Sequence, residues 1–247
     1  MSKFFVAVLA LLILSLAIYS PNIVRVYKLA NLYNEKSIAK NFISIDKIFE
    51  TSSPIPASEK PYIFEKKEYD LPESYVFEGD ELNLLDGLDH FHTDGLIILH
   101  NGKMLFENYW NGNTKDSKHI AFSVSKSYLS ALFGIAVDEG LIESIDDKVS
   151  KYLDDFDGTG YEDVKIKNLL QMSSGIEFNE DYADPNSDIN RFARATARGS
   201  SFRDFAKTLK NGREQGTYNH YVSIDTQVLG MILESVTDMP LREYLYK

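Results

Sequence analysis

Ser123-Val124-Ser125-Lys126, followed by Tyr128-Leu129-Ser130-Ala131-Leu132-Phe133-Gly134-Ile135-Ala136-Val137, decides how this chain is read. A serine hydroxyl is a weak nucleophile until a base takes its proton, and a lysine three residues on is one internal source of that base. Residues three apart on a helix share a face, which brings Lys126 beside the Ser123 hydroxyl. The run that follows is apolar nearly all round, so it predicts a helix inside a domain rather than on its surface. Asp138 and Glu139 precede Gly140, a left-handed stop for that helix. Ser123 is therefore expected at the amino end of a buried helix, where unpaired backbone N–H groups favour developing negative charge.

The spacing recurs at Ser37–Lys40 and Ser44–Lys47. Both lie in mixed polar sequence and read as solvated turns or an exposed helix, because a motif counts only in its structural context. With 247 residues, 44% of them hydrophobic, the chain can bury one good core plus appendages. A net charge of −11 with no basic stripe argues against a nucleic-acid partner. There are no cysteines, which excludes disulfides, thiolate metal sites and cysteine catalysis. The five histidines show no metal-ligand spacing, so neither a metal nor another cofactor is expected. Asp155-Phe156-Asp157-Gly158 begins like a calcium loop, but its twelfth position is Ile166 rather than a bidentate glutamate. A solvated acidic turn is the reading there.

At the amino terminus, the uncharged run Phe4 to Tyr19 reads as an export signal or a membrane anchor, giving residues 1–24 as a signal peptide or signal anchor. Ser15-Leu16-Ala17 offers a cleavage site, while apolar character resuming at Ile23 and Val24 favours retention. The protein is then either anchored in an inner membrane facing the periplasm or secreted into it. Residues 25–93 read as a stalk or extended arm containing the Pro/Ser-rich connector Thr51 to Pro61. The domain proper is expected over residues 94–247.

That domain opens with Leu96–Leu99 and Met104–Tyr109, strands joined through His100-Asn101-Gly102-Lys103, because Asn-Gly accepts positive φ at both centre positions. Helices are expected at Ile166–Met172, stopped by Ser173-Ser174-Gly175, and at Ser201–Lys210, with Phe202 and Phe205 as core anchors. Another is expected at Ser223–Val236, with Val228, Leu229, Ile232 and Val236 on one face. A long polar loop runs from Glu177 to about Asn190.

Phe122-Ser123-Val124-Ser125-Lys126-Ser127 through Leu141-Ile142 resembles the serine β-lactamase-related hydrolases of the class C and D-alanyl-D-alanine peptidase type. Leu169 to Ile176 is similar to that family's helix and turn after the nucleophile. Asn179 to Asp188 and Tyr221 to Gly230 resemble the branch that includes 6-aminohexanoate-dimer hydrolases. The resemblance implies an α/β, β-lactamase/transpeptidase-like fold, incomplete at its carboxy-terminal end. It implies Ser123 as the acylated nucleophile, Lys126 as its immediate proton partner, and Tyr221 as a second base that relays the proton to the leaving group. Tyr218 is a rival tyrosine, but Asp225-Thr226-x-x-Leu229-Gly230 falls in register behind Tyr221. Ser223 stands where many relatives carry Asn and could orient Lys126 or the substrate.

Tyr182 and Asp181 are taken as substrate-binding residues. The acidic loop of Glu180, Asp181, Asp184 and Asp188 is read as a pocket rim that attracts an amine-bearing substrate. The family's Lys- or His-x-Gly strand, which completes the pocket, has no counterpart after Tyr221. His100-Asn101-Gly102 sits before the nucleophile and Lys207-Thr208-Leu209 lacks the glycine. Chain order places that strand beyond Lys247, and the 247-residue chain is expected to be poorly active. The function implied is hydrolysis of an amide or ester in a small molecule or short peptide through an acyl-serine. The alternative is a non-catalytic, membrane-anchored binding protein.

Overall fold

A computed structural model describes residues 24, 27–28, 30–48, 51 and 53–247. The apolar run Phe4–Tyr19, and with it the expectation of a signal or anchor, lies outside them. Among the described residues no helix is long and apolar enough to cross a membrane. The chain divides into two compact units, residues 1–120 and 121–247.

The first unit holds helix α1 (Ile38–Phe42) and strands β1 (Glu65–Lys66), β2 (Ser74–Phe77) and β3 (Asp80–Asn83). Helix α2 (Leu84–His90) and strands β4 (Gly95–His100) and β5 (Lys103–Tyr109) follow. The β4–β5 hairpin pairs antiparallel from Gly95↔Tyr109 to His100↔Lys103, with a bulge between Ile98 and Leu99. Asn101 and Gly102 have φ of 49° and 73°, so both centre residues take the left-handed conformation anticipated for Asn-Gly. Residues 53–93 carry three short strands and a helix. β1 adds to β5 in parallel, giving the sheet order β1-β5-β4, and β2 and β3 form a second hairpin. Asn83 then caps α2, its Oδ1 accepting from the N–H groups of Leu85 and Asp86.

The second unit contains α3 (Ser125–Asp138), α4 (Ile166–Leu170), α5 (Asp188–Ala197), α6 (Phe202–Thr208), α7 (Ser223–Thr237) and α8 (Leu241–Tyr246). Its core gathers Phe133, Val149, Phe156, Tyr161, Ile224 and Ile232, each at most 1% exposed. Burying each large side chain of this kind stabilises the fold by roughly 1.5–3 kcal/mol. On α7, Val228, Leu229 and Ile232 are buried as the periodicity predicts. Ser201 caps α6, but Phe202 is 42% exposed and stacks edge-on against Phe192, leaving Phe205 as that helix's buried anchor.

Helix α3 also differs from expectation. Leu132, Phe133 and Ala136 are buried, whereas Tyr128 and Ile135 are 61% and 49% exposed. Ser127, Ser130 and Gly134 interrupt the apolar surface on the exposed side, so the helix is amphipathic in packing although it is nearly uniform in hydropathy. Gly140, at φ 75°, ends the segment as predicted.

The turn after α4 brings backbone against backbone. Gly175 has φ 78°, and a Cβ there would stand 2.3 Å from the Arg213 carbonyl oxygen. Its own carbonyl accepts from the N–H groups of Gly212 and Arg213. Gly175→Ala is expected to destabilise the protein by about 2 kcal/mol, from left-handed strain plus displacement of that contact. The midpoint of urea unfolding reads this, and an unchanged midpoint would refute the close approach.

Candidate active site

Ser123 lies in the tight turn Phe122–Val124 that leads into α3. The turn is strained at Phe122, a non-glycine residue with φ 43°, and is closed by the Ser125 hydroxyl donating to the Phe122 carbonyl at 2.6 Å. Lys126 follows in the first helical turn and donates from Nζ to Ser123 Oγ at 3.2 Å. Tyr221, 98 residues downstream, donates its hydroxyl to the same oxygen at 2.8 Å. The Lys126 ammonium also lies 5.4 Å from the centroid of the Tyr221 ring, within range of a cation–π attraction. Two donors, one of them cationic, thus converge on one exposed serine oxygen, an arrangement that favours negative charge there.

Tyr221 is 41% exposed, so packing around its ring does not fix it. Its neighbours do. Asn219 Nδ2 donates to the Gln171 carbonyl at 2.9 Å, and the His220 N–H donates to the Met172 carbonyl at 2.7 Å. His220 Nε2 lies 2.7 Å from the Phe178 carbonyl oxygen. Since a carbonyl only accepts, that nitrogen carries the proton. Val222 is buried, and Ser223 opens α7. Tyr218 turns its ring elsewhere, under the Arg213 guanidinium at 4.7 Å and tilted against the His220 ring at 6.5 Å, and is 58% exposed. Tyr221 is therefore the tyrosine brought to Ser123.

The remaining polar candidates separate into two sets. Ser223 meets Glu180: its N–H donates to Oε2 at 3.1 Å and its hydroxyl to Oε1 at 2.6 Å. Tyr182 donates to the same Oε1 at 3.1 Å. Local desolvation, then the Glu180 carboxylate, pushes the Tyr182 phenol up to about 12. This desolvation acts on the hydroxyl end, since the residue as a whole is 67% exposed. Asp181, in contrast, turns into its own loop and accepts the Ala183 N–H at 2.8 Å. Asp184 accepts from the Asn186 N–H and Asp188 from the Asn179 N–H in the same manner. Of the acidic loop, only Glu180 reaches the residues around Tyr221, which alternation along a loop gives no means of choosing.

Beneath the site, Asp225 is fully buried in the first turn of α7. Its Oδ1 accepts the Tyr161 hydroxyl at 2.9 Å, while Oδ2 has no hydrogen bond of normal geometry. Burial pushes its carboxyl up to about 7, and the nearby Ser174 and Tyr161 hydroxyls offset only part of that. The same burial, with Asp225 beside it, raises the Tyr161 phenol.

An open cleft of about 510 Å³ adjoins Lys126, lined also by Leu129, Arg203, Gln227, Met231 and Glu234. Ser123 and Tyr221 do not line it, and both stand exposed beside it. In the loop that begins like a calcium site, Asp155 is held by Arg203 and Lys207 at 2.6 and 2.9 Å. Among the described residues no group of His, Asp and Glu could hold a metal ion.

The chain is similar to known proteins in both sequence and fold. The family model described as Beta-lactamase matches residues 83–247. The 6-aminohexanoate-dimer hydrolase of Paenarthrobacter ureafaciens is 32% identical over 165 residues, covering 64% of this chain and 42% of that protein. An Escherichia coli K12 protein provisionally named a D-alanyl-D-alanine carboxypeptidase is 23% identical over 220 residues, covering 78% of this chain and 49% of its own length. Among solved structures, a Bacillus anthracis protein provisionally named a 6-aminohexanoate-dimer hydrolase superposes with a TM-score of 0.78 at 18% identity. That match covers 87% of this chain and 59% of the other, and it shows a shared fold. The chain spans about half the length of the curated relatives it matches. The fold is thus β-lactamase/transpeptidase-like, and with two thirds of its residues matched by the family model, the chain belongs to the Beta-lactamase family.

Proposed function

We propose that the protein is a serine hydrolase that cleaves an amide or ester bond through an acyl-Ser123 intermediate. The observation that carries this reading is the convergence of Lys126 Nζ and Tyr221 OH on Ser123 Oγ. Both groups stand within reach of the hydroxyl proton, which is where a general base must be. In the reacting form the pair is one proton short, a Tyr221 phenolate balanced by the Lys126 ammonium, and as Oγ attacks the substrate carbonyl its proton passes to that phenolate oxygen, leaving Tyr221 OH beside Lys126. Collapse of the tetrahedral adduct breaks the bond to the leaving amine or alcohol, which takes its proton from Tyr221 OH. Water then attacks the ester on Ser123, surrendering its proton to the same pair, and the acid product departs. The names of the relatives point to amide bonds in short linear molecules as the substrate class.

The test is mass spectrometry of full-length protein mixed with a p-nitrophenyl ester. An adduct on the peptide containing Ser123 is the expected result. Tyr221→Phe removes the proton relay and is expected to slow acylation by roughly 10²–10⁴-fold. A protein that binds the ester but never forms the adduct would instead be a binding protein. A rate unchanged in Tyr221→Phe would remove the tyrosine from the mechanism.

A further inference from the structure

We propose that Glu180 is the positioning residue of this site: it fixes Tyr221 opposite Ser123 by clamping Ser223 and Tyr182 on one carboxylate. The inference rests on the hydrolase reading and gives Glu180, read from sequence as part of an acidic pocket rim, a role of its own.

The geometry has three parts. Tyr221 stands partly in solvent and makes its one side-chain hydrogen bond, among those described, to the oxygen it is meant to serve. Beyond that bond and the Lys126 ammonium over its ring, Tyr221 keeps its place through its backbone. On the amino-terminal side the backbone is held by His220, through its N–H to Met172 and its ring to Phe178. On the carboxy-terminal side it is held by Ser223, whose N–H and hydroxyl both donate to Glu180. Glu180 thereby caps the first turn of α7, where a helix presents N–H groups without intrahelical partners.

The third donor is the Tyr182 hydroxyl, which shares Oε1 with Ser223. One carboxylate therefore joins the polar loop to the element that carries Tyr221, and the two move together. The same saturation argues against Glu180 as a proton carrier. Oε1 already accepts two hydroxyls and Oε2 an N–H, so the carboxylate holds its neighbours rather than exchanging protons with substrate. Ser223, for its part, directs its hydroxyl to Glu180 and not to Lys126.

Glu180→Gln keeps the shape but puts an NH₂ donor where the Ser223 N–H or a hydroxyl needs an acceptor. The experiment is a double-mutant cycle on the rate of Ser123 acylation by a p-nitrophenyl ester, using full-length wild type, Glu180→Gln, Tyr221→Phe and the double variant. Glu180→Gln is expected to lower the acylation rate constant about ten- to a hundredfold while the apparent ester affinity changes less than about threefold, as misplacement of a reacting group does. In the Tyr221→Phe background the same substitution is expected to have no further effect, because its action passes through the tyrosine hydroxyl. Glu180→Asp, shorter by one methylene, should recover part of the rate.

Equal rates for wild type and Glu180→Gln would overturn the proposal while leaving the hydrolase reading intact. So would full additivity with Tyr221→Phe, which is what general loosening of the fold produces. Failure of wild type itself to acylate at Ser123 would overturn both.

Discussion

Ser123→Ala is expected to leave no covalent adduct with any ester or amide and to lower turnover by up to on the order of 10⁶-fold, the loss seen when a serine nucleophile is removed from an assembled catalytic group. The reason is specific to the oxygen. Lys126 and Tyr221 both direct their hydrogen bonds at Ser123 Oγ, and alanine leaves them with nothing to activate. Ser123 is exposed, so its truncation opens no cavity, and thermal stability should stay within about 0.5 kcal/mol of wild type. Activity assays paired with thermal unfolding check both halves. Substantial turnover in a well-folded Ser123→Ala protein would place the nucleophile elsewhere.

The second large effect concerns stability. Asp225 is buried with one oxygen unpartnered, and its carboxyl titrates near 7 in the folded protein against 3.8 when solvated. The folded value is the higher one, so the native state holds a proton that the unfolded chain releases over that interval. The stabilisation is full below pH 3.8 and is lost as pH rises through about 7. Wild type should accordingly be less stable at pH 8 than at pH 5, with Asp225 contributing roughly 2–3 kcal/mol to that difference. Asp225→Asn cannot ionise and retains an acceptor for the Tyr161 hydroxyl. It should match wild type at low pH and exceed it at pH 8. Denaturant titrations of both proteins across pH 5–8 give the comparison, and parallel curves for the two would show that Asp225 ionises without cost.

The legible parts of this molecule were those in which a local rule acts alone. Asn101-Gly102 dictates a turn through backbone sterics, Gly140 ends a helix for the same reason, and Ser123 meets Lys126 because the tight turn that holds it runs directly into α3 and keeps residues three apart on one side. Tyr221 was accessible only through resemblance, which preferred it to Tyr218 by the register of Asp225-Thr226-x-x-Leu229-Gly230 behind it. The structure separates them by the hydrogen bond to Ser123 on one side and the stack under Arg213 on the other. Other features had no local signal. β1 is two charged residues that become a strand by pairing with β5. Glu180 and Asp181 are adjacent acids in one loop, and their opposite fates are set by hydrogen bonds from Ser223 and Ala183. The burial of Asp225 depends on what packs over the start of α7, which periodicity does not encode.

The stitching of Tyr221 through its flanks has a consequence for how such a surface changes over generations. Tyr221 stands partly in solvent, while the bonds that hold it in place lie on main chain and on residues to either side. A change at an exposed position such as Tyr218 disturbs no packed layer, so drift there costs little folding free energy. Selection for a new ligand can then explore the rim of the site while Ser123, Lys126 and Tyr221 stay in place. A scaffold arranged in this way separates the residues that keep it folded from those that decide what it accepts, which makes it evolvable without making it fragile.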